Sequence, residues 1–234
     1  ATVAGWRSKA HVYSAGTTDA LVPAYIASKL ARARLIYEAQ ELYAETDYTP
    51  FPRFWAWIER TLLPKASGIT AANAERAQVM YEEYNSPTLP VVISNCPPVY
   101  DPRNVQRIQW SMHNGQKVWE SGAKVVLYQG SIAHGRGLLS LISAMAHLPQ
   151  YVYLALVGPQ DAEFVEEARQ IAVEVGAQDR IVWIDAVPRE QLDTFTVSAD
   201  VGVVFYEPTC RNNYLCAPNK LYDYMMAGLP VVAS

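Results

Sequence analysis

KVVLYQGSIAHGRGLLSLISAMAHLPQYVYLALVG, residues 124–158, is the most regular stretch of the chain. An apolar, β-branched run is followed by a glycine-rich turn. A stretch of helical period then places Leu138, Leu141, Ile142, Met145 and Leu148 on one face, and a second apolar run follows. Strand, crossover helix and strand in that order build a parallel sheet. The theme continues through IVWI (181–184), VGVVF (201–205) and LPVVA (229–233). Between the second and third runs, Val165, Ala168, Ile171, Ala172 and Val175 repeat the helical stripe. Such stripes are core faces, and they imply no cofactor.

Upstream the same theme is less regular. HVYS (11–14), ARLIYE (33–38), SGITAA (67–72) and LPVVIS (89–94) read as strands, with helices near Ala20–Ala31, Phe54–Lys65 and Asn73–Tyr84. Between the two regions lies a stretch rich in Pro, Asn and polar residues without a sustained period, read as a linker over 95–122. The expected organisation is a partial N-terminal α/β domain over 1–94, the linker, and a partial C-terminal domain over 123–234. Neither internal repeats nor low-complexity tracts are present. Ligands of open parallel sheets bind beyond the carboxyl ends of the strands, so the loops after strands are where chemistry is expected.

Composition narrows the function. Half of the 234 residues are hydrophobic, 18% are charged and the net charge is −4, with basic residues scattered, so no nucleic-acid partner is expected. No apolar run approaches bilayer length, and no leader pattern opens the chain, which makes the cytoplasm the expected compartment. Cys96, Cys210 and Cys216 form neither a disulfide framework nor a zinc pattern, and no Asp-x-Asp pair or His-rich spacing suggests a metal. No metal and no cofactor are expected. The stretch FPRFWAWIERTLLPK (51–65) clusters Phe51, Phe54, Trp55 and Trp57 with Arg53, Arg60 and Lys65, a composition suited either to helix packing or to peripheral contact with an anionic membrane.

Two places carry candidate chemistry. In the turn after KVVLY, Gly130, Gly135 and Gly137 allow close backbone approach and Arg136 adds a positive charge, as a phosphate-binding loop requires. The glycine spacing is not that of the dinucleotide fingerprint. The second place is the segment from Pro218 to Pro230. Pro218 suits a helix start, Gly228 a helix end, Lys220 lies in the first turn and Asp223 one turn on. Taken alone, the first could be an ordinary turn and the second a surface helix with solvated charges. Of the four histidines, His11, His113, His134 and His147, only His134 falls in the glycine loop, where it is read as a bystander.

Together, GSIAHGRGLLSLISAM, LALVG, VSADVGVVFY and APNKLYDYMMAGLPVVAS resemble, in order, the C-terminal domain of GT-B-type glycosyltransferases, closest to glycosyltransferase family 4. TTDALVPAYIASKLARARLIYEAQELY, WIERTLLPKASGITAAN and VVISNCPP are similar to the acceptor-side domain of the same proteins. The resemblance implies two Rossmann-like parallel-sheet domains facing a cleft. It also implies a chain cut at both ends, since the family has strands before the segment matching Ala1 and helices after that matching Ser234. The implied activity is transfer of a sugar from a nucleoside-diphosphate sugar to a hydroxyl acceptor, which could be a glycan, a lipid-linked or a small molecule. Retention of configuration and independence of metal are implied with it. The enzyme would work in the cytoplasm or at the inner face of a membrane.

By position, Arg136 and Lys220 would face the leaving diphosphate as the catalytic cations. Asp223 would fall on the second acidic position of a paired-glutamate motif, where a Glu holds the ribose. Gln129, Gly130, Ser131, Gly135, Val187 and Asn219 complete the implied donor-binding set, with 185–188 beside the base. The first motif Glu falls at Leu215, so Glu207, Asn212 and Asn213 are the candidates to face the sugar. Ser131 stands where the family has Arg, and Gln40 stands for the His of an acidic, small, His, Glu segment at 38–41. A nucleotide-sugar epimerase of the same fold and a non-catalytic nucleotide-sugar-binding protein are the alternatives.

Overall fold

The computed structural model describes residues 9–108, 110, 112, 113, 116, 117 and 122–234. It divides into two compact units, 1–95 with 208–217 and 96–207 with 218–234. Both are parallel-sheet α/β units of Rossmann-like form.

The first unit contains β1 (Val12–Ala15), α1 (Thr18–Ala31), β2 (Arg34–Ala39), α2 (Pro52–Leu62), β3 (Gly68–Ala71), α3 (Ala74–Glu83) and β4 (Val91–Val92). The strands lie in sequence order and are all parallel, with Tyr13 opposite Leu35, Tyr37 opposite Ile69 and Thr70 opposite Val91. Leu21, Leu35, Tyr37, Ile58, Leu62 and Met80 form part of one buried cluster between sheet and helices. Asn73 starts α3 by accepting the Arg76 N–H at 2.9 Å, satisfying a donor that the helix itself leaves open.

Within the second unit a two-residue antiparallel pair, β5 (Met112–His113) and β6 (Gln116–Lys117), precedes the main sheet. The sheet elements are β7 (Lys124–Gln129), α4 (Leu138–Ala144), β8 (Val152–Val157), α5 (Ala162–Glu174), β9 (Ile181–Ile184), α6 (Arg189–Ser198), β10 (Val201–Val204), α7 (Asn219–Met226) and β11 (Val231–Ala233). Spatial order is β11-β10-β7-β8-β9, all parallel. Alternate residues of β8 serve two cores: Leu154 and Leu156 join the cluster with Ile142 and Phe164, while Ala155 and Val157 join that with Leu127 and Tyr224. Burial on both faces explains why these strands read as unbroken apolar runs. The chain moves outward from β7 through β8 to β9, then returns to β10 on the other side of β7. That reversal opens a crevice at the carboxyl ends of β7 and β10, where ligands of such sheets bind.

The units divide differently from the sequence expectation. Of the stretch read as a linker, 95–122, Asn95 falls in the first unit and the other described residues in the second, while 208–217, read as part of the C-terminal domain, falls in the first. The reason is where the polar groups of this excursion find partners. Asn212 Oδ1 accepts the Leu42 N–H at 3.0 Å, Arg76 donates to the Asn212 carbonyl at 3.0 Å, and Asn73 donates to the Leu215 carbonyl at 2.7 Å. Leu215, which the resemblance sets at the first motif Glu, packs on the first unit's core.

Candidate functional site

The crevice is built by two loops that touch. Gly130 leaves β7 with φ +127° and donates its N–H to the Val157 carbonyl at 2.9 Å. Gly158, at φ +151°, lies so close behind that a Cβ there would sit 2.0 Å from the Gly130 oxygen. At the far end of the loop Gly137 adopts φ +64°, and a Cβ there would sit 2.1 Å from the Phe205 ring, just after β10. Glu207 donates its N–H to the Gly135 carbonyl at 3.4 Å. These glycines are therefore explained by close approach as much as by backbone conformation.

Onto this frame the structure brings the two expected cations together. The Arg136 guanidinium carbon lies 4.8 Å from the centre of the Tyr206 ring, and the Lys220 ammonium lies 5.1 Å from the same ring and 3.9 Å from that of Tyr128. Lys220 is only 7% exposed, and its Nζ lies beside the loop, 3.4 Å from where a Cβ on Gly130 would stand. A cation over an aromatic face gains about 0.5–2 kcal/mol, more where water is excluded. Burial pushes the Tyr128 hydroxyl well above its ordinary range, and it donates to the Ser131 carbonyl at 2.8 Å. Two fixed positive charges beside loop backbone can offset negative charge that develops on a bound anion.

Asp223 has partners other than those the resemblance implies. It is 2% exposed. One carboxylate oxygen accepts from Gln129 Nε2 at 2.7 Å and from Arg189 Nη1 at 3.0 Å, and the other accepts from Arg189 Nη2 at 2.5 Å. Gln129, itself 3% exposed, accepts through Oε1 from the Thr196 hydroxyl at 2.9 Å, and its N–H donates to the Tyr224 hydroxyl at 3.0 Å. Both side chains are committed inside the unit, whereas the sequence reading turned both toward the donor. The Asp223 carboxylate raises the Arg189 pKa further above its already high range. Burial raises the carboxyl of Asp193, whose Oδ1 lies 3.0 Å from Arg189 Nη2, and pushes the neighbouring Tyr100 hydroxyl up to about 12.

The remaining candidates fall in several places. Ser131 and Asn219 are exposed at the loop and at the start of α7, Gly135 is half-buried in the loop, and Val187 packs against the core that includes Tyr224. Glu207 sits beside Gly135 in the second unit. Asn212 and Asn213 belong to the first: Asn212 is buried with its side-chain oxygen on Leu42, and Asn213 donates to Thr209 at 3.2 Å. His134 stacks edge-on to Phe164 at 4.9 Å and lies 3.4 Å from Glu167. The three cysteines form no disulfide, and among the described residues no group of three His, Cys, Asp or Glu side chains is placed to hold a metal. Sequence reading passed over Tyr128, Tyr206 and Arg189. The first two stand at the carboxyl ends of apolar runs and the third opens a helix after a strand, positions that could have drawn attention.

The glycine loop and the two cations thus meet where the strand order of the sheet reverses, at the ends of β7 and β10. Residues 123–234 match the family described as Glycosyl transferases group 1. Among solved structures the chain is similar to HepE from Anabaena in complex with UDP-glucose (TM-score 0.77, 20% identity, 99% of this chain and 62% of that one). It is also similar to sucrose-phosphate synthase from Thermosynechococcus elongatus (TM-score 0.69, 18% identity, 95% and 55%) and to a glycosyltransferase from Rickettsia africae (TM-score 0.70, 14% identity, 99% and 59%). These likenesses establish the GT-B fold, and the chain spans 62% or less of each of these structures. No curated protein is similar enough in sequence to serve as a relative.

Proposed function

We propose that the protein is a glycosyltransferase that moves a sugar from a nucleoside-diphosphate sugar to a hydroxyl acceptor, with retention at the anomeric carbon and without a metal. The observation that carries this reading is the meeting of Arg136 and Lys220 on the ring of Tyr206 beside the Gly130 loop. HepE, a structural neighbour, binds UDP and UDP-glucose, which supports a nucleotide sugar as the donor. In the reaction the bond from the anomeric carbon to the diphosphate oxygen breaks with its electron pair leaving on the diphosphate. The acceptor oxygen then bonds to that carbon and gives up its proton to the departing diphosphate. The two cations stabilise the departing charge, a stabilisation that grows toward the transition state and so acts on rate.

Arg136→Ala and Lys220→Ala are each expected to lower kcat/KM for transfer or donor hydrolysis by about 100- to 1000-fold. Rates like those of the unaltered protein would reject the assignment. Full activity in a chelator would accompany a metal-free mechanism, and an epimer formed from donor alone would favour isomerase chemistry instead.

The exposed face of α2 supports an anionic membrane as a further partner. Trp55 packs into the first unit's core and edge-on against Tyr43 at 5.7 Å, but Phe54 and Trp57 remain 50% and 58% exposed. The exposed charges of this helix, Arg53 and Arg60, are both basic, and its one acid, Glu59, is buried. Aromatic and basic side chains on one outer face suit an anionic interface. Sedimentation with anionic liposomes, lost on Phe54→Ser with Trp57→Ser in a folded protein, is expected, and binding that persists in that variant would refute the contact. Among the described residues no helix is long and apolar enough to cross a membrane.

A further inference from the structure

We infer that Asp223 is a positioning residue that sets Lys220 in place, and that it does not hold the ribose. The inference rests on the nucleotide-sugar reading of the site and reassigns one residue within it. A carboxylate that binds ribose hydroxyls must present a lone pair to the ligand. Asp223 presents neither oxygen: both accept from Arg189, one accepts from Gln129 as well, and the residue is almost wholly buried. Freeing the oxygen shared with Gln129 would strand the buried Gln129 amide away from water, which is costly.

The same contacts govern where Lys220 points. Positions 220 and 223 are three apart on α7 and therefore share a face. Asp223 ties that face to α6 through Arg189, and to the end of β7 through Gln129, whose other end is held by Thr196. Tyr224 adds a second tie: its hydroxyl accepts the Gln129 N–H and donates to the Leu127 carbonyl at 3.1 Å. Its ring lies over Gly202, where a Cβ would come within 2.3 Å. An eight-residue helix so fixed has little freedom to rotate about its axis. Lys220, one turn earlier, is held against Tyr128 and Tyr206 beside the Gly130 loop.

The test needs two readouts on Asp223→Asn and on Arg189→Gln, the second altering the same ion pair from its more exposed end. The first is acetylation of lysines by an activated ester, followed by mass spectrometry on the protein without nucleotide. Lys220 is expected to react at least several-fold faster in both variants, with Lys65 and Lys124 unchanged as controls, and an unchanged Lys220 rate would overturn the inference. The second compares UDP with 2′-deoxy-UDP by calorimetry. Positioning predicts weaker binding of both in Asp223→Asn with their affinity ratio preserved, whereas a ratio that collapses to one assigns the ribose to Asp223. Should the unaltered protein bind neither nucleotide, the proposed function fails, while the acetylation rates still decide the positioning role.

Discussion

Glu59 has been buried in the first unit with one oxygen lacking any partner. The other oxygen accepts from the Tyr37 hydroxyl at 2.6 Å and the Thr18 hydroxyl at 3.0 Å. Burial dominates, and it raises the carboxyl above its ordinary value of 4.5. The folded state therefore holds this proton more tightly than the unfolded chain. The resulting stabilisation is complete below the unfolded value and is lost as pH rises through the folded one. Glu59→Gln, which imitates the neutral acid, is expected to flatten this term: the melting-temperature difference between variant and parent should widen as pH rises above the ordinary carboxyl value of 4.5. A difference independent of pH would show that Glu59 titrates as it does in water. At the same scale, Gly158→Ala sets a methyl group against the Gly130 carbonyl, which as backbone cannot move aside. It is expected to cost about 2–4 kcal/mol in denaturant unfolding.

Helix α7 owes its short, defined extent to its ends. Pro218 precedes its first residue, and Gly228 at φ +73° ends it, with the Leu229 N–H returning to the Tyr224 carbonyl at 2.9 Å. That is the left-handed stop that glycine accommodates without strain. Gly228→Ala is expected to destabilise the second unit by about 1 kcal/mol. Tyr224→Phe keeps the ring over Gly202 but leaves the buried Gln129 N–H and Leu127 carbonyl without the hydroxyl that joins them. A loss of about 1–3 kcal/mol is expected, read from thermal or denaturant melts. The cap was legible in the sequence because proline and glycine act locally. The partners of Asp223 were not, since Arg189 and Gln129 reach it from α6 and β7.

At the scale of the whole molecule, the excursion 208–217 gives its polar groups to the first unit. Arg76 bridges it to β2's end of that unit, donating to the Asn212 carbonyl at 3.0 Å and to the Gln40 carbonyl at 2.5 Å. Asn212→Ala is expected to leave the Leu42 N–H buried and unpaired, a cost of about 1–3 kcal/mol. Amide exchange should quicken around Leu42 and α3, and unchanged exchange there would show that the excursion contributes nothing to the first unit.

Periodicity and punctuation sufficed for the parallel-sheet elements of 124–234, the Gly130 loop and the bounds of α7, because each depends on residues within a turn or two of one another. The order of those elements also sufficed for the resemblance, and with it for Arg136 and Lys220 as a pair. Three matters were decided only in three dimensions: that Tyr206 seats both cations, that Asp223 is satisfied internally, and that Asn212 and Leu215 belong to the first unit. Each depends on which distant side chain fills a hydrogen-bonding site or covers a ring. That choice is made by packing between elements, where spacing along the chain carries no information.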